Sequence, residues 1–232
     1  MAKKIIILVI ALMPMLLTAC YDKEEIDNIT YVIALGIDKG KKENLRLTMQ
    51  YFTINEKSEE NVGNNGTASI SIEAPSIITA INIINNSIDR KLSFSHTKLI
   101  VMSEELAREG NLKTILKPLE NSREFRPNVY MAISKQDAEK YLKAIEKLKR
   151  PNLARYYRLM FSSYEYSGYY MVSPKDDFYY KLADKDVGAY TPYVAVNELE
   201  KGEDIEKLIS KIIKLLNKNA HCHQYHGTIF SS

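Results

Sequence analysis

The residue with the clearest chemistry is Cys20, which closes the only long apolar run of the chain. The order Leu17-Thr18-Ala19-Cys20 places a small residue before the cysteine, as at the processing site of bacterial lipoproteins. In such proteins the thiol takes a diacylglyceryl group and the cysteine becomes the first residue of the mature chain. Lysines precede a 13-residue apolar segment, 5–17, which is shorter than the about 20 residues that cross a bilayer. We predict a signal peptide over 1–19 and lipidation at Cys20, the alternative being an ordinary secretory signal.

An anchor at Cys20 defines the compartment and the charge of the mature protein. Two acyl chains hold a protein at a membrane, since each buried CH₂ contributes about 0.8 kcal/mol and one chain attaches only reversibly. Removal of residues 1–19 leaves 30 basic and 29 acidic residues, so the composition gives no support to a nucleic-acid partner. Cys222 is the only other cysteine, which leaves no pair for an internal disulfide once Cys20 is lipidated.

Other residue types with catalytic or metal-binding chemistry lack a supporting pattern. The chain has no His-Glu-x-x-His, no Gly-x-Ser-x-Gly and no phosphate-binding glycine loop, so we expect no enzyme activity and no cofactor. Ser95 and His96 are a nucleophile and a base in sequence, but neighbours on a strand point to opposite faces and should not hydrogen-bond. We therefore expect a structural His96. The histidines and Cys222 of the segment 220–232 have no ordered framework, so we expect an irregular tail without a metal.

Apolar periodicity predicts the elements that position these residues. Strands are expected at 31–38, 45–54, 67–73, 99–103 and 128–134, and helices at 75–90, 104–119 with a break near Gly110, and 138–148. The first two strands form a hairpin, and the third alternates as a strand with one solvated face does. Ser134 and Asp137 resemble a capping box for the last helix. Antiparallel strands followed by strand and helix alternation indicate an α+β domain with a mixed, mainly antiparallel sheet over 31–149, behind a tether at 20–30.

The composition changes at Arg150, which predicts a second region. Ten of the 16 tyrosines lie between 156 and 193. Tyrosine clusters suit interfaces, but a small core with scattered surface rings explains them equally well. An amphipathic helix is expected at 205–216 after Asp204. We predict a smaller tyrosine-rich α+β region over 150–219.

A basic run spans residues 140–158, where only Glu146 is acidic. Its members are Lys140, Lys143, Lys147, Lys149, Arg150, Arg155 and Arg158. Three interpretations stay open: contact with anionic lipid headgroups, contact with an acidic patch on a partner, and an ordinary solvated helix face.

Six short motifs, taken together, identify a family resemblance. They are Tyr21-Asp22 with Glu25-Ile26, Gly36-Ile37-Asp38, Thr48-Met49-Gln50, His96 with Ile100-Val101, the segment 104–110, and Arg123-Glu124-Phe125-Arg126. In order and spacing they resemble motifs of the Ger(x)C lipoproteins of bacterial spore germinant receptors. The resemblance marks Asp22, Glu25, Gly36, Asp38, Gln50, His96, Arg123 and Arg126 as family-motif or interface residues. We expect one of the two arginines to be a structural ion-pair or carbonyl donor, with an interface role as the alternative.

The resemblance implies a function as well as a fold. It implies a non-enzymatic, lipid-anchored subunit on the extracytoplasmic face of the spore inner membrane, required for nutrient-triggered germination through docking to the integral-membrane A and B subunits of its receptor. The alternative is an extracytoplasmic solute-binding lipoprotein, which needs a deep pocket with convergent polar groups. Family members continue into a further α/β domain, so we expect this chain to be a shortened member whose last helix exposes its apolar face.

Overall fold

The computed structural model describes residues 29–53, 66–148, 150, 152–168, 170–184 and 188–196, together with Lys3. The strands in these residues are β1 (Ile29–Lys39), β2 (Leu45–Thr53), β3 (Gly66–Ala74), β4 (Lys91–Ser93), β5 (Leu99–Ser103), β6 (Tyr130–Ser134) and β7 (Tyr193–Val194). The helices are α1 (Ile77–Ser87), α2 (Glu104–Arg108), α3 (Leu112–Asn121), α4 (Ala138–Glu146), α5 (Leu153–Ser162), α6 (Tyr164–Ser167) and α7 (Lys175–Ala183).

The strands form one mixed sheet in the order β3-β2-β1-β5-β6-β7, and β4 pairs with the start of β1. The β1–β2 and β2–β3 pairs are antiparallel and carry the longest ladders, whereas β4 and β5 pair with β1, β6 with β5, and β7 with β6 in parallel. The predicted hairpin and the predicted α+β class with a mixed sheet are confirmed. The parallel strands need helical crossovers, which the helices between β5, β6 and β7 supply.

Both faces of the sheet are covered, which explains why β1 is almost continuously apolar. Leu35 and Ile37 of β1 pack in one core with α1, α3 and α7. Ile33 and Ala34 pack in the other core with α4 and α5. The register of β1 against β2 shifts between Val32 and Ala34, and this bulge is what lets two successive residues serve the same core. A strand that is buried on both faces has no solvent-facing positions, so its sequence does not alternate between apolar and polar residues.

Local signals place some of the helix boundaries. Helix α1 begins after Ser76, whose hydroxyl accepts a hydrogen bond from the backbone N–H of Thr79 at 3.2 Å. The predicted break near Gly110 is confirmed, because Gly110 has a φ of 74° and separates α2 from α3. The two short strands β4 and β7 are absent from the sequence prediction. Three residues and two residues are too few for a periodic pattern.

The described part of 150–196 packs on the same sheet as the residues before it. Helix α5 supplies Tyr157 and Phe161 to one core, and α7 supplies Phe178 to the other. Lys175 is buried at the start of α7, and its Nζ lies 2.9 Å from Oε2 of Glu120 in α3. Strand β7 extends the sheet beside β6. The domain boundary predicted at residue 150 stays a prediction.

Several predicted segments lie outside the described residues. They are the signal peptide 1–19 apart from Lys3, the tether up to residue 28, the loop after β2, the helix at 205–216 and the tail 220–232. Among the residues that are described, no helix is long and apolar enough to cross a membrane.

We expect Tyr157→Phe to lower the free energy of unfolding by about 1–3 kcal/mol. The Tyr157 hydroxyl donates to Oε1 of buried Gln50 at 2.7 Å, and removal of the hydroxyl leaves that oxygen unpaired. Tyr141→Phe is the matched control, since Tyr141 is also buried in the same core but its hydroxyl makes no hydrogen bond within the described residues. Urea denaturation of both variants gives the measurement. Equal losses would show that the Tyr157–Gln50 contact does not join α5 to the sheet.

Candidate functional site

The start of α4 is capped by a side chain from a distant strand. Asp38, near the end of β1, accepts a hydrogen bond from the N–H of Ala138 at 2.6 Å on Oδ1 and from the N–H of Glu139 at 2.9 Å on Oδ2. Only 3% of Asp38 is exposed. Burial raises the pKa of this carboxyl, although the two backbone hydrogen bonds act in the opposite direction. The carboxylate therefore satisfies two of the N–H groups that α4 leaves unpaired at its start.

The capping box predicted from Ser134 and Asp137 is wrong. Asp137 is at the N-cap position but makes no side-chain hydrogen bond there. The hydroxyl of Ser134 is buried and has no hydrogen-bond partner among the described residues. The physical reason is that Asp38 already occupies the place at which a local side chain would meet the helix N–H groups.

Gly36 lets α4 lie close to β1. A Cβ atom at this position would lie 3.0 Å from Cδ1 of Leu142 and 3.2 Å from Cβ of Ala138. Both distances are shorter than ordinary carbon contacts of about 3.5–4.0 Å. The motif Gly36-Ile37-Asp38 thus combines a close approach to α4 with the cap of the same helix.

Gln50 ties β2 to both helices on this face of the sheet. Its Nε2 donates to the backbone oxygen of Leu142 in α4 at 3.3 Å, and its Oε1 accepts from the Tyr157 hydroxyl in α5. The amide is fully buried, so these two bonds replace contacts that water would otherwise supply. Burial raises the pKa of Tyr157, which keeps the hydroxyl a donor.

Arg46 completes the attachment of α4 and is not among the residues marked from the sequence. Its guanidinium lies 2.8 Å from Oε1 of Glu73 in β3 and 3.0 Å from Oε2 of Glu139 in α4. The Arg46 hydrogen bond lowers the pKa of Glu73 to about 2. The polar face of β3, predicted to be solvated, instead lies half-buried near α4, where the hydroxyl of Ser71 donates to Glu139 at 3.0 Å. We call Gly36, Asp38, Arg46 and Gln50 the α4 clamp.

A polar pocket of about 160 Å³ lies beside the α4 clamp. It is lined by Asp38, Lys39, Gly40, Lys41, Arg46, Ser103, Glu105 and Asp137. Pockets that bind small molecules usually measure about 300–1,000 Å³ and are mainly apolar. The N–H groups that an anion would meet at the start of α4 are already bonded to Asp38. This pocket is therefore a surface cleft between charged side chains.

The prediction that Ser95 and His96 cannot hydrogen-bond is wrong. The Ser95 hydroxyl and Nδ1 of His96 are 3.0 Å apart. The two residues lie in the turn between β4 and β5 and not on a strand, so their side chains are free to converge.

The ring of His96 also packs edge-on against Tyr31, with centroids 4.5 Å apart. Burial lowers the pKa of His96, and the charges of Lys98 and Arg126 lower it further, which favours a neutral ring.

Neither Arg123 nor Arg126 has the ion pair or carbonyl contact predicted for one of them. Both side chains are exposed in the segment between α3 and β6, and neither makes an ion pair or a side-chain hydrogen bond within the described residues. Arg126 instead lies close enough to Lys98 and His96 to affect their titration, and Arg158 of α5 affects Lys98 in the same way. We call Lys98, Arg126, Arg158 and His96 the basic edge.

Part of the basic run predicted at 140–158 is neutralised. Nζ of Lys140 lies 2.9 Å from Oδ2 of Asp137, and Nζ of Lys143 lies 2.7 Å from Oε1 of Glu139. Both acidic partners precede the run in sequence, so a count that begins at residue 140 omits them. Arg158 belongs to a different cluster, together with basic residues that come from other parts of the chain.

The marked residues thus separate into two groups. Gly36, Asp38 and Gln50 meet around α4, whereas His96 and Arg126 lie near the starts of β5 and β6, at the end of the parallel strands opposite Asp38. Cys20, Asp22 and Glu25 lie outside the described residues. In the described part of the chain, no group of three or more His, Cys, Asp or Glu residues is placed to hold a metal ion.

Fold and site together define an α+β domain whose polar contacts mainly fix one helix to a mixed sheet. Residues 22–196 match the model of the spore germination protein N-terminal domain. The chain belongs to the Ger(x)C family of spore germination proteins.

Two curated relatives come from Bacillus subtilis (strain 168). The chain is 26% identical to spore germination protein KC over 214 residues, which cover 89% of this chain and 53% of the relative. It is 33% identical to putative spore germination protein YfkR over 101 residues, which cover 41% of this chain and 26% of that protein. The chain therefore spans about half the length of protein KC. No solved structure matches it.

We expect Asp38→Asn to lower the free energy of unfolding by about 1–3 kcal/mol. An asparagine offers one acceptor oxygen, so one N–H at the start of α4 would face an amide NH₂ in place of a carboxylate oxygen. Asp137→Asn is the control, because Asp137 caps nothing with its side chain. Denaturant titration near neutral pH checks both. A stability loss in Asp137→Asn equal to that in Asp38→Asn would contradict the assignment of the cap to Asp38.

Proposed function

We propose that this chain is a non-enzymatic, lipid-anchored C subunit of a spore germinant receptor, required for nutrient-triggered germination. The observation that carries the proposal is the family match over residues 22–196, together with the similarity to spore germination protein KC. The site supports a non-enzymatic role, since the α4 clamp uses its polar groups to hold elements of the fold together. The subunit acts on the extracytoplasmic face of the spore inner membrane.

The anchor is proposed at Cys20, at the end of the predicted signal peptide. Eight residues, 21–28, lie between Cys20 and Ile29, where β1 begins, and an extended chain over these nine Cα-to-Cα steps spans at most about 30 Å. Diacylation at Cys20 therefore keeps the start of β1 within about 30 Å of the bilayer surface. Two acyl chains supply the stable attachment that a single chain does not.

The proposed docking surface lies on the tyrosine-rich region. There Tyr157 and Phe161 are buried and fix α5 on the sheet, whereas Leu159 is 52% exposed and Tyr166 is 89% exposed. A tyrosine that is not needed for the core offers apolar area and a hydroxyl at little entropic cost, which suits a protein interface. We assign this surface, Leu159 and Tyr166, to the integral-membrane A and B subunits of the receptor.

The solute-binding alternative has less support. It needs a deep pocket with convergent polar groups, and the pocket beside Asp38 measures about 160 Å³, which is below the about 300–1,000 Å³ usual for small-molecule sites.

We expect Cys20→Ala to abolish labelling by a palmitate analogue and germination through the receptor, because it removes the thiol that takes the diacylglyceryl group. Cys222→Ala is the matched control and should keep both labelling and germination. Metabolic labelling and a germination assay on spores give the two measurements. Equal labelling of wild type and Cys20→Ala would contradict the anchor. Normal germination of an unlabelled variant would contradict the need for it.

We expect the double variant Leu159→Ser, Tyr166→Ser to recover less of the A and B subunits from detergent extracts of spore inner membrane, because both changes remove exposed apolar area. Ile78→Ser with Ile83→Ser is the matched control, since both isoleucines are partly exposed on α1, on the opposite face of the sheet. Circular dichroism checks that both variants fold. Equal recovery in both double variants would contradict a docking role for this surface.

A further inference from the structure

The basic edge lies at the end of the sheet from which the chain leads back to Cys20. Strands β1, β5 and β6 run parallel, and Lys98 stands directly before β5, where its N–H donates to the oxygen of Ile33 at 2.8 Å. Arg126 lies four residues before β6, and its backbone oxygen accepts from the N–H of Val129 at 3.4 Å. Ile29, the first residue of β1, lies on this side of Ile33. The start of β1 and the basic edge therefore share one end of the molecule.

The backbone holds these cations in place. The oxygen of Lys98 accepts from the N–H of Tyr130 at 2.9 Å, so Lys98 is fixed between β1 and β6. The ring of Tyr130 stacks on Phe161 of α5, with centroids 5.5 Å apart, and this contact fixes the helix that carries Arg158. Two segments, one before β5 and one before β6, and helix α5 thus bring three positive side chains together from distant parts of the sequence.

Within the described residues, no ion pair joins Lys98, Arg126 or Arg158 to a carboxylate. The pKa of Lys98 is lowered by burial and then by the charges of Arg126 and Arg158. The charge of Glu165 acts on Tyr130, whose N–H donates to the oxygen of Lys98. An anion from outside the chain would relieve the repulsion that the three cations impose on each other.

We propose that the basic edge binds the anionic headgroups of phospholipids in the membrane to which the chain is anchored. The proposal rests on the proposed lipid anchor, because an anchored Cys20 brings this end of the molecule to the bilayer. A bilayer presents many phosphate groups in a plane, which suits cations spread over several elements. The edge then orients the domain, leaving Asp38 and the start of α4 at the far end.

The experiment uses the expected mature chain, from residue 20 to 232, with Cys20→Ser so that no acyl chain contributes. Vesicles of equal parts phosphatidylglycerol and phosphatidylcholine are compared with vesicles of phosphatidylcholine alone in a flotation assay. We expect the protein to float with the anionic vesicles and to be released at about 1 M salt, where the screening length falls to about 3 Å.

Two triple variants locate the binding surface. Lys98→Gln, Arg126→Gln, Arg158→Gln should weaken binding to anionic vesicles tenfold or more, since each basic residue at a membrane surface contributes about fivefold. Lys41→Gln, Lys42→Gln, Lys113→Gln removes the same charge from exposed positions elsewhere and should retain most of the binding. Thermal unfolding of both variants checks that they fold as the wild type does.

Each outcome supports or overturns the proposal. Equal flotation of the wild type with both kinds of vesicle, or equal losses in the two triple variants, would overturn it. Failure of the wild type to float, combined with loss of germination in spores that carry the Lys98, Arg126 and Arg158 changes, would overturn it in favour of an acidic partner protein. The vesicle result does not depend on acylation, so it is separate from the labelling result at Cys20.

Discussion

The carboxylate of Asp38 is the contact on which the position of α4 depends, because it meets two of the N–H groups that the helix leaves unpaired at its start. A buried carboxylate is costly unless its oxygens are bonded, so Asp38 and the helix start satisfy each other and fix one end of α4 against β1. Gly36 allows the helix to lie close, and Gln50 bonds to its backbone a turn further along. The helix can therefore take only one direction across the sheet.

The direction of α4 determines which charged residues lie at each end of the molecule. With α4 lying near the polar faces of β2 and β3, Arg46 is held between the carboxylates of Glu73 and Glu139. The chain then returns as α5, whose Tyr157 bonds to Gln50 and whose Phe161 stacks on Tyr130. Arg158 lies between those two contacts in sequence and joins cations that precede β5 and β6. One end of the sheet is thus closed by ion pairs, and the other carries cations without ion pairs among the described residues.

The sequence predicts the elements that have a local signal, and its errors have two sources: contacts between distant segments and a turn that was assigned to a strand. The hairpin of β1 and β2 and the break at Gly110 follow from apolar runs and turn residues, and both are present. The capping box at Ser134 was a sound local pattern, but a side chain about 100 residues earlier takes its place. Ser95 and His96 were assigned to a strand and lie in a turn. The alternation of β3 correctly gives a strand, yet alternation cannot tell water from a polar helix face packed above it.

The family motifs acquire different meanings once their contacts are known. Asp38 and Gln50 are buried and bonded to other elements, so their replacement disturbs the fold before it disturbs any partner. Arg126 is exposed and has no ion pair within the described residues, so the fold gives no account of a guanidinium at that position. An exposed arginine held near Lys98 is electrostatically unfavourable to the isolated domain. The charge of Arg126 is tolerated most readily if an anion from outside the domain neutralises it. Among the motif residues, Arg126 is therefore best placed to act on something other than this chain.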